Sequence, residues 1–269
     1  MRPPSVRPRS SSSNAEPLAQ GLQRRFRLSL MQTAHSGLIL IVCAAASLRA
    51  QAPAPTIALT ADLGLVSATG NTRLKTVNVG NKVVRTDGRW VLTQVAAYVY
   101  GETNHLASAN QLRGAVRSDY SFERRVSAFA GVSYERNRFA GFTRRTDEIL
   151  GLSWKALAEA MDSLSLDGGG VLTQEADVDG TSKHFPAARF AAAYKHAFTK
   201  ASYFQQLGEY VPNLQSGGEY RVNTESALVA PLSAHAGIKI GYAVRFNSKP
   251  PATFGTTDRV LTTGMQISF

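Results

Sequence analysis

Residues 258–269 read DRVLTTGMQISF. Arg259, Leu261, Thr263, Met265, Ile267 and Phe269 share one face of an extended strand, and Val260, Thr262, Gly264, Gln266 and Ser268 share the other. Side chains alternate sides along a strand, so one face is mostly apolar and the other small and polar. A soluble sheet gains little from such a strand, whereas a membrane barrel needs lipid on one face and lumen on the other. The stretch therefore predicts an outer-membrane β-barrel.

Upstream, the same alternation recurs. Ala234, Ala236, Ile238, Ile240, Tyr242, Val244 and Phe246 oppose His235, Gly237, Lys239, Gly241, Ala243 and Arg245. Tyr220, Val222, Thr224 and Leu228 oppose Glu219, Arg221, Asn223 and Glu225. Leu112, Gly114, Val116, Tyr120 and Phe122 oppose Arg113, Arg117, Asp119 and Glu123. The pattern predicts about twelve strands: 57–67, 72–85, 89–101, 110–122, 125–137, 145–157, 162–175, 183–196, 200–209, 218–229, 234–246 and 258–269. Their lengths suit tilted membrane strands.

Connections separate a barrel from a soluble sandwich, which also alternates. Short turns at 86–88, 123–124, 197–199 and 230–233 alternate with longer stretches at 102–109, 138–144, 176–182, 210–217 and 247–257. That rhythm predicts an antiparallel up-and-down barrel with tight periplasmic turns, longer outer loops and both termini periplasmic. Trp90, Tyr120, Phe122, Trp154, Tyr194 and Phe269 fall near one rim. Tyr98, Tyr100, Tyr134, Tyr220 and Phe246 fall near the other, as aromatic girdles at two lipid–water interfaces would.

Residues 1–52 read as an overlong N-terminus followed by a cleavable secretory signal, leaving 53–269 as the barrel domain. Arg24, Arg25 and Arg27 precede the apolar run Gly37 to Ala46, and Ala50-Gln51-Ala52 offers a cleavage site. The run is too short to span a bilayer as a helix. The chain's single cysteine, Cys43, is an apolar filler within it. Net charge is +11, but residues 1–52 hold seven Arg and one Glu, leaving +5 in the remainder, from 23 basic and 18 acidic side chains. Much of the high pI thus belongs to the removed segment, and no nucleic-acid partner is expected.

Three stretches carry a family resemblance. Ser67-Ala-Thr-Gly70-Asn71-Thr72, Arg136-Asn-Arg-Phe139-Ala-Gly141-Phe142-Thr-Arg-Arg145 with Gly151-Leu152, and Leu164-Ser-Leu-Asp-Gly168-Gly-Gly170 resemble segments of the salt-induced outer-membrane protein family. Asp167, where that family has Glu, and an Ala-rich eighth strand depart from the pattern. The resemblance implies a Gram-negative outer-membrane barrel of no established activity, whose partners are membrane lipids and the barrel-assembly machinery. It also implies that Phe269, with Ile267 and Met265, is the C-terminal assembly signal.

Chemistry-bearing clusters are few. Glu175, Asp177 and Asp179 resemble half of a calcium loop, but Pro186 stands where the closing Glu belongs. His184 lies near Ser182, Asp177 and Asp179 without a nucleophile signature. The expectation is therefore no enzyme, no cofactor and no metal. A lipid hydrolase or acyltransferase at His184 and a loop-mediated surface-binding protein stand as alternatives.

The unusual feature is the inward face. Asp62, Lys82, Arg113, Arg117, Asp119, Glu123, Glu135, Lys155, Arg189, Lys195, Glu219, Arg221, Glu225, Lys239 and Arg245 all read as lumen-facing. Arg113, Arg117, Asp119, Glu219, Arg221, Glu225, Lys239 and Arg245 are the candidate site residues. Buried charges must be paired or hydrated. Such a lumen is either a solvated salt-bridge network or a narrow, anion-leaning channel for small solutes in a monomeric barrel.

Overall fold

A computed structural model describes residues 54–68, 74–199 and 201–269, which fall in one compact unit, Pro53–Phe269. The proposed signal segment lies outside the described residues. Twelve strands run in order: β1 (Thr56–Ala68), β2 (Leu74–Asp87), β3 (Trp90–Thr103), β4 (Leu106–Ser121), β5 (Val126–Asn137), β6 (Phe142–Ala158), β7 (Asp162–Asp177), β8 (Ser182–Ala197), β9 (Tyr203–Pro212), β10 (Tyr220–Pro231), β11 (Ala236–Asn247) and β12 (Thr257–Ser268). Each pairs antiparallel with its sequence neighbours, and β1 pairs with β12 to close the barrel. An even strand number brings the start of β1 and the end of β12 to one end, here the terminal end; the opposite end is the loop end.

The expected contrast in connection length is only partly present. The strands flanking 102–109 run on until a two-residue turn, Asn104–His105, joins them. Both residues have positive φ (50° and 67°), the twist that suits a tight hairpin. This loop-end connection is as short as the terminal-end turn 88–89. The connection expected at 176–182 shrinks to 178–181, while 213–219 and 248–256 remain long.

Register puts the apolar faces outward. Leu63, Leu65, Val116, Val132, Leu150, Phe190, Ile240 and Leu261 are all exposed around the wall. So much exposed apolar surface is unfavourable in water and suits a hydrocarbon surround. Outward polar groups find cross-strand partners instead: Asn81 Nδ2 donates to Gln94 Oε1 (3.0 Å), and Ser226 Oγ to Gln206 Oε1 (2.5 Å). Aromatic rings cluster at both rims. Trp90 meets Tyr120 at 4.9 Å at the terminal end, and Tyr220 bridges Tyr210 and Phe246 at 5.6 Å each at the loop end.

The interior is packed unevenly. Among the described residues, the buried hydrophobic ones lie on β5–β10: Phe129, Phe142, Val171, Phe185, Ala187, Val211, Ala227 and Val229. Val171, Phe185, Ala187 and Val211, with Ile149 against them, form a small apolar core inside the barrel. Glycines permit the tight wall beside it: a Cβ on Gly151 would meet Phe129 at 2.8 Å and Gly169 at 3.0 Å. Among the described residues, no equivalent core fills the side lined by β11, β12 and β1–β4. There Lys82 and Val95 face the lumen and stay solvent-exposed, Val95 to 39%.

Candidate functional site

The lumen holds three layers of charge. At mid-height Arg117 on β4 reaches across to Asp167 on β7 (2.5 Å) while forking onto Asp119 (2.7 and 2.9 Å). Asp167 also accepts from Arg189 (3.2 Å), and Arg189 binds Glu209 (2.5 Å). The Arg117 guanidinium stacks 3.7 Å from the Phe129 ring centroid, which shields the cation on one side.

Nearer the loop end, Arg221 on β10 binds both oxygens of Asp147 on β6 (3.1 and 3.2 Å) and Thr173 Oγ1 (3.2 Å). Thr173 is fully buried and donates to Asp147 (2.7 Å). Arg145 binds Glu175 (2.5 Å) and stacks on Phe142, and Lys183 binds Asp177 (2.7 Å). Charges removed from bulk water in this way are tolerated because each has a partner.

Toward the terminal end, a strap crosses from β9: Tyr203 donates to Gln266 (2.8 Å), Gln266 to Asp62 (2.9 Å), and Lys239 to Asp62 (2.7 Å). Lys195 lies 4.1 Å over the Tyr203 ring. Lys82, Lys195 and Lys239 all face the lumen at this end. This end therefore carries an excess of cations.

The residues singled out in the sequence take distinct places. Arg117, Asp119, Arg221 and Lys239 join the layers above. Arg221 pairs with Asp147 rather than with the sequence-adjacent Glu219 or Glu225. Glu219 sits in the connection 213–219 and accepts from Asn213 (3.1 Å), and Glu123 lies in the exposed turn 122–125. Arg113 and Glu225 have no ion-pair partner among the described residues, and the buried Arg245 Nε has no acceptor. Phe269 exchanges backbone hydrogen bonds with Leu59 (2.8 and 3.0 Å) and stacks on His235, while Ile267 and Met265 face outward beside it.

Arg145, Asp147, Glu175, Asp177, Lys183 and Glu209 also form the network, and sequence reading did not gather them. Glu175 and Asp177 are separated by one residue, the spacing that puts both on one strand face. They turn inward to Arg145 and Lys183, so the calcium-like trio does not converge. Asp179 instead accepts from the Thr181 N–H (2.8 Å), which holds its carboxyl below the usual range. No group of His, Cys, Asp and Glu among the described residues is placed to hold a metal. His184 is exposed on the outer face and makes no hydrogen bond to Ser182, Asp177 or Asp179. Two other histidines do meet carboxylates: His105 Nδ1 lies 3.5 Å from Glu102 at the loop-end turn, and His196 Nδ1 lies 2.8 Å from Asp162 at the terminal rim, where Tyr194 also donates to Asp162 (2.6 Å).

Residues 61–269 match a family described as "Protein of unknown function, DUF481". The chain belongs to this DUF481 family. Its description does not mention salt, and the salt-induced designation rests on the sequence motifs alone. No curated protein sequence matches. Among solved structures, an outer membrane channel from Pseudomonas putida F1 is 9% identical, with a TM-score of 0.47, over 83% of this chain and 97% of that one. The NanC porin is 10% identical (TM-score 0.45; 78% and 97% covered). The translocator domain of the autotransporter NalP from Neisseria meningitidis is 11% identical (TM-score 0.43; 90% and 98% covered).

Proposed function

We propose that this DUF481 protein is an outer-membrane barrel that passes small solutes, anions preferred, through a narrow path beside β11, β12 and β1–β4, and performs no chemistry of its own. The observation that carries this reading is the uneven lumen: apolar side chains and paired charges occupy the β5–β10 side, while Lys82 and Val95 meet solvent opposite. Fixed charges at a constriction bias which ion enters, and Lys82, Lys195 and Lys239 face the lumen at the end that the Tyr203–Gln266–Asp62 strap crosses.

In this reading the barrel is monomeric and follows export through the signal segment. Its terminal end faces the periplasm, and Phe269, Ile267 and Met265 are read by the assembly machinery. A stress- or salt-related role rests on the motif resemblance. Planar-bilayer recording of the refolded barrel tests the channel: small conductance with anion preference is expected, and Lys82→Glu should lower or reverse that preference. A barrel that inserts and carries no current contradicts the reading.

A further inference from the structure

The barrel is not zipped along its whole length. β1 and β12 pair from Thr60↔Ser268 to Leu63↔Met265, with Leu59 and Phe269 bonded below. The next shortest ladder, β8 with β9, has eight partners. Both seam strands nevertheless continue toward the loop end, β1 to Ala68 and β12 from Thr257. In an unbroken register Leu65 would face Thr263 and Ala68 would face Val260, and no such pairs form. Among the described residues, β1 there pairs with β2 and β12 with β11, and neither pairs with the other.

Two glycines mark the fork. A Cβ on Gly264 would lie 2.7 Å from Gly64 Cα and closer still to Leu63 O, so the backbones touch there before pairing ends. Unpaired N–H and C=O groups facing hydrocarbon cost several kcal/mol each, so an open seam needs water or a solute behind it. Leu65 (67% exposed) and Leu261 (65%) flank it on the outside. Beside the fork the inward residues Thr76, Asn78, Val99, Val260 and Thr262 are short and uncharged, and Asp258 and Arg245 face inward at its loop-end mouth. Meanwhile the core on β5–β10 fills the opposite side, and the Tyr203–Gln266–Asp62 strap narrows the terminal end.

We infer that the seam between β1 and β12 is a side opening through which uncharged, lipophilic small molecules pass between the loop-end lumen and the membrane. This rests on the channel reading and adds a second exit, chosen by the polarity of the solute. Ions follow the cationic axial path; apolar molecules leave sideways below Asp258 and Arg245, where Thr76, Asn78, Val260 and Thr262 present no charge that would have to be stripped of water and Leu65 and Leu261 flank the gap.

The test uses intact Gram-negative cells expressing the full chain, with 1-N-phenylnaphthylamine as the probe, since its fluorescence rises on reaching the membrane interior. Expression should speed uptake over cells lacking the barrel. In a Leu65→Cys/Thr263→Cys variant, joining the two thiols by oxidation, or by a short bismaleimide if they do not oxidise, should return uptake to background. Reduction of the disulfide should restore it, and either single cysteine should be insensitive. Unchanged uptake with the seam joined would overturn the inference, as would finding either cysteine bridged to another protein, which would make the seam a strand-docking edge. Axial conductance of the same joined variant in planar bilayers separates the two readings: retained current with uptake lost supports the side opening, and absence of current in parent and variant alike faults the channel reading.

Discussion

Strands β5–β10 and strands β11–β4 turn the same kind of apolar face outward, yet their inward residues differ in volume and in bonding. On the first side Phe185, Val171 and Val211 pack together, and Arg221, Asp147 and Thr173 bond in a buried layer. On the second, Lys82 and Val95 face solvent, Arg113 stands without an ion-pair partner, and β1 and β12 part above Gly64 and Gly264. The same alternating pattern thus builds both a packed core and a side whose inward residues stay solvent-exposed. What differs is whether the inward residue meets another side chain or water.

The largest effects should come from breaking the filled side. Arg221→Ala leaves the Asp147 carboxylate buried without its cation and should cost about 3–5 kcal/mol in urea unfolding. Lys239→Ala removes a wetter pair and should cost less than about 1 kcal/mol. Equal losses would erase the distinction between the sides. Phe185→Ala removes an aromatic ring from the interior core and should cost about 3 kcal/mol, at the low end for a buried Phe; Val95→Ala should be close to neutral by the same measurement.

The outer belt supplies a reference that both sides share. Val116→Arg should cost about 2–4 kcal/mol if it sits near the bilayer centre. A neutral result would mean that this face does not meet hydrocarbon.

The smallest effect expected is on selectivity. Arg113→Ser removes a cation with no partner and should shift reversal potential modestly away from anions while leaving stability intact. Arg117→Ser should instead destabilise the barrel, because Arg117 holds Asp119 and Asp167 together. Identical behaviour of the two variants would show that pairing across the lumen does not matter.

Much of this was legible in the sequence. Strand ends fall within a few residues of the expected ones because a period of two is a strong local signal, and the DRVLTTGMQISF strand has its apolar face outward as its alternation implies. The loop lengths were less legible. Asn104–His105 turns tightly because both residues adopt positive φ, a property that polar loop composition does not reveal. The charge network was hidden for a different reason: its partners are distant in sequence. Arg117 and Asp167 are 50 residues apart, and Arg221 and Asp147 are 74 apart. A local reading pairs Arg221 with Glu219 or Glu225, whereas barrel closure carries it across to β6. The unzipped seam leaves no sequence signal beyond two glycines, each ordinary in a strand.

The most direct test of the two-sided lumen is single-channel recording with a charged methanethiosulfonate reagent applied to Val95→Cys and Val171→Cys barrels. The account predicts a stepwise block in the Val95→Cys protein and an unchanged current in the Val171→Cys protein. Block at residue 171 with residue 95 silent would place the path through the side described here as filled, and would contradict it.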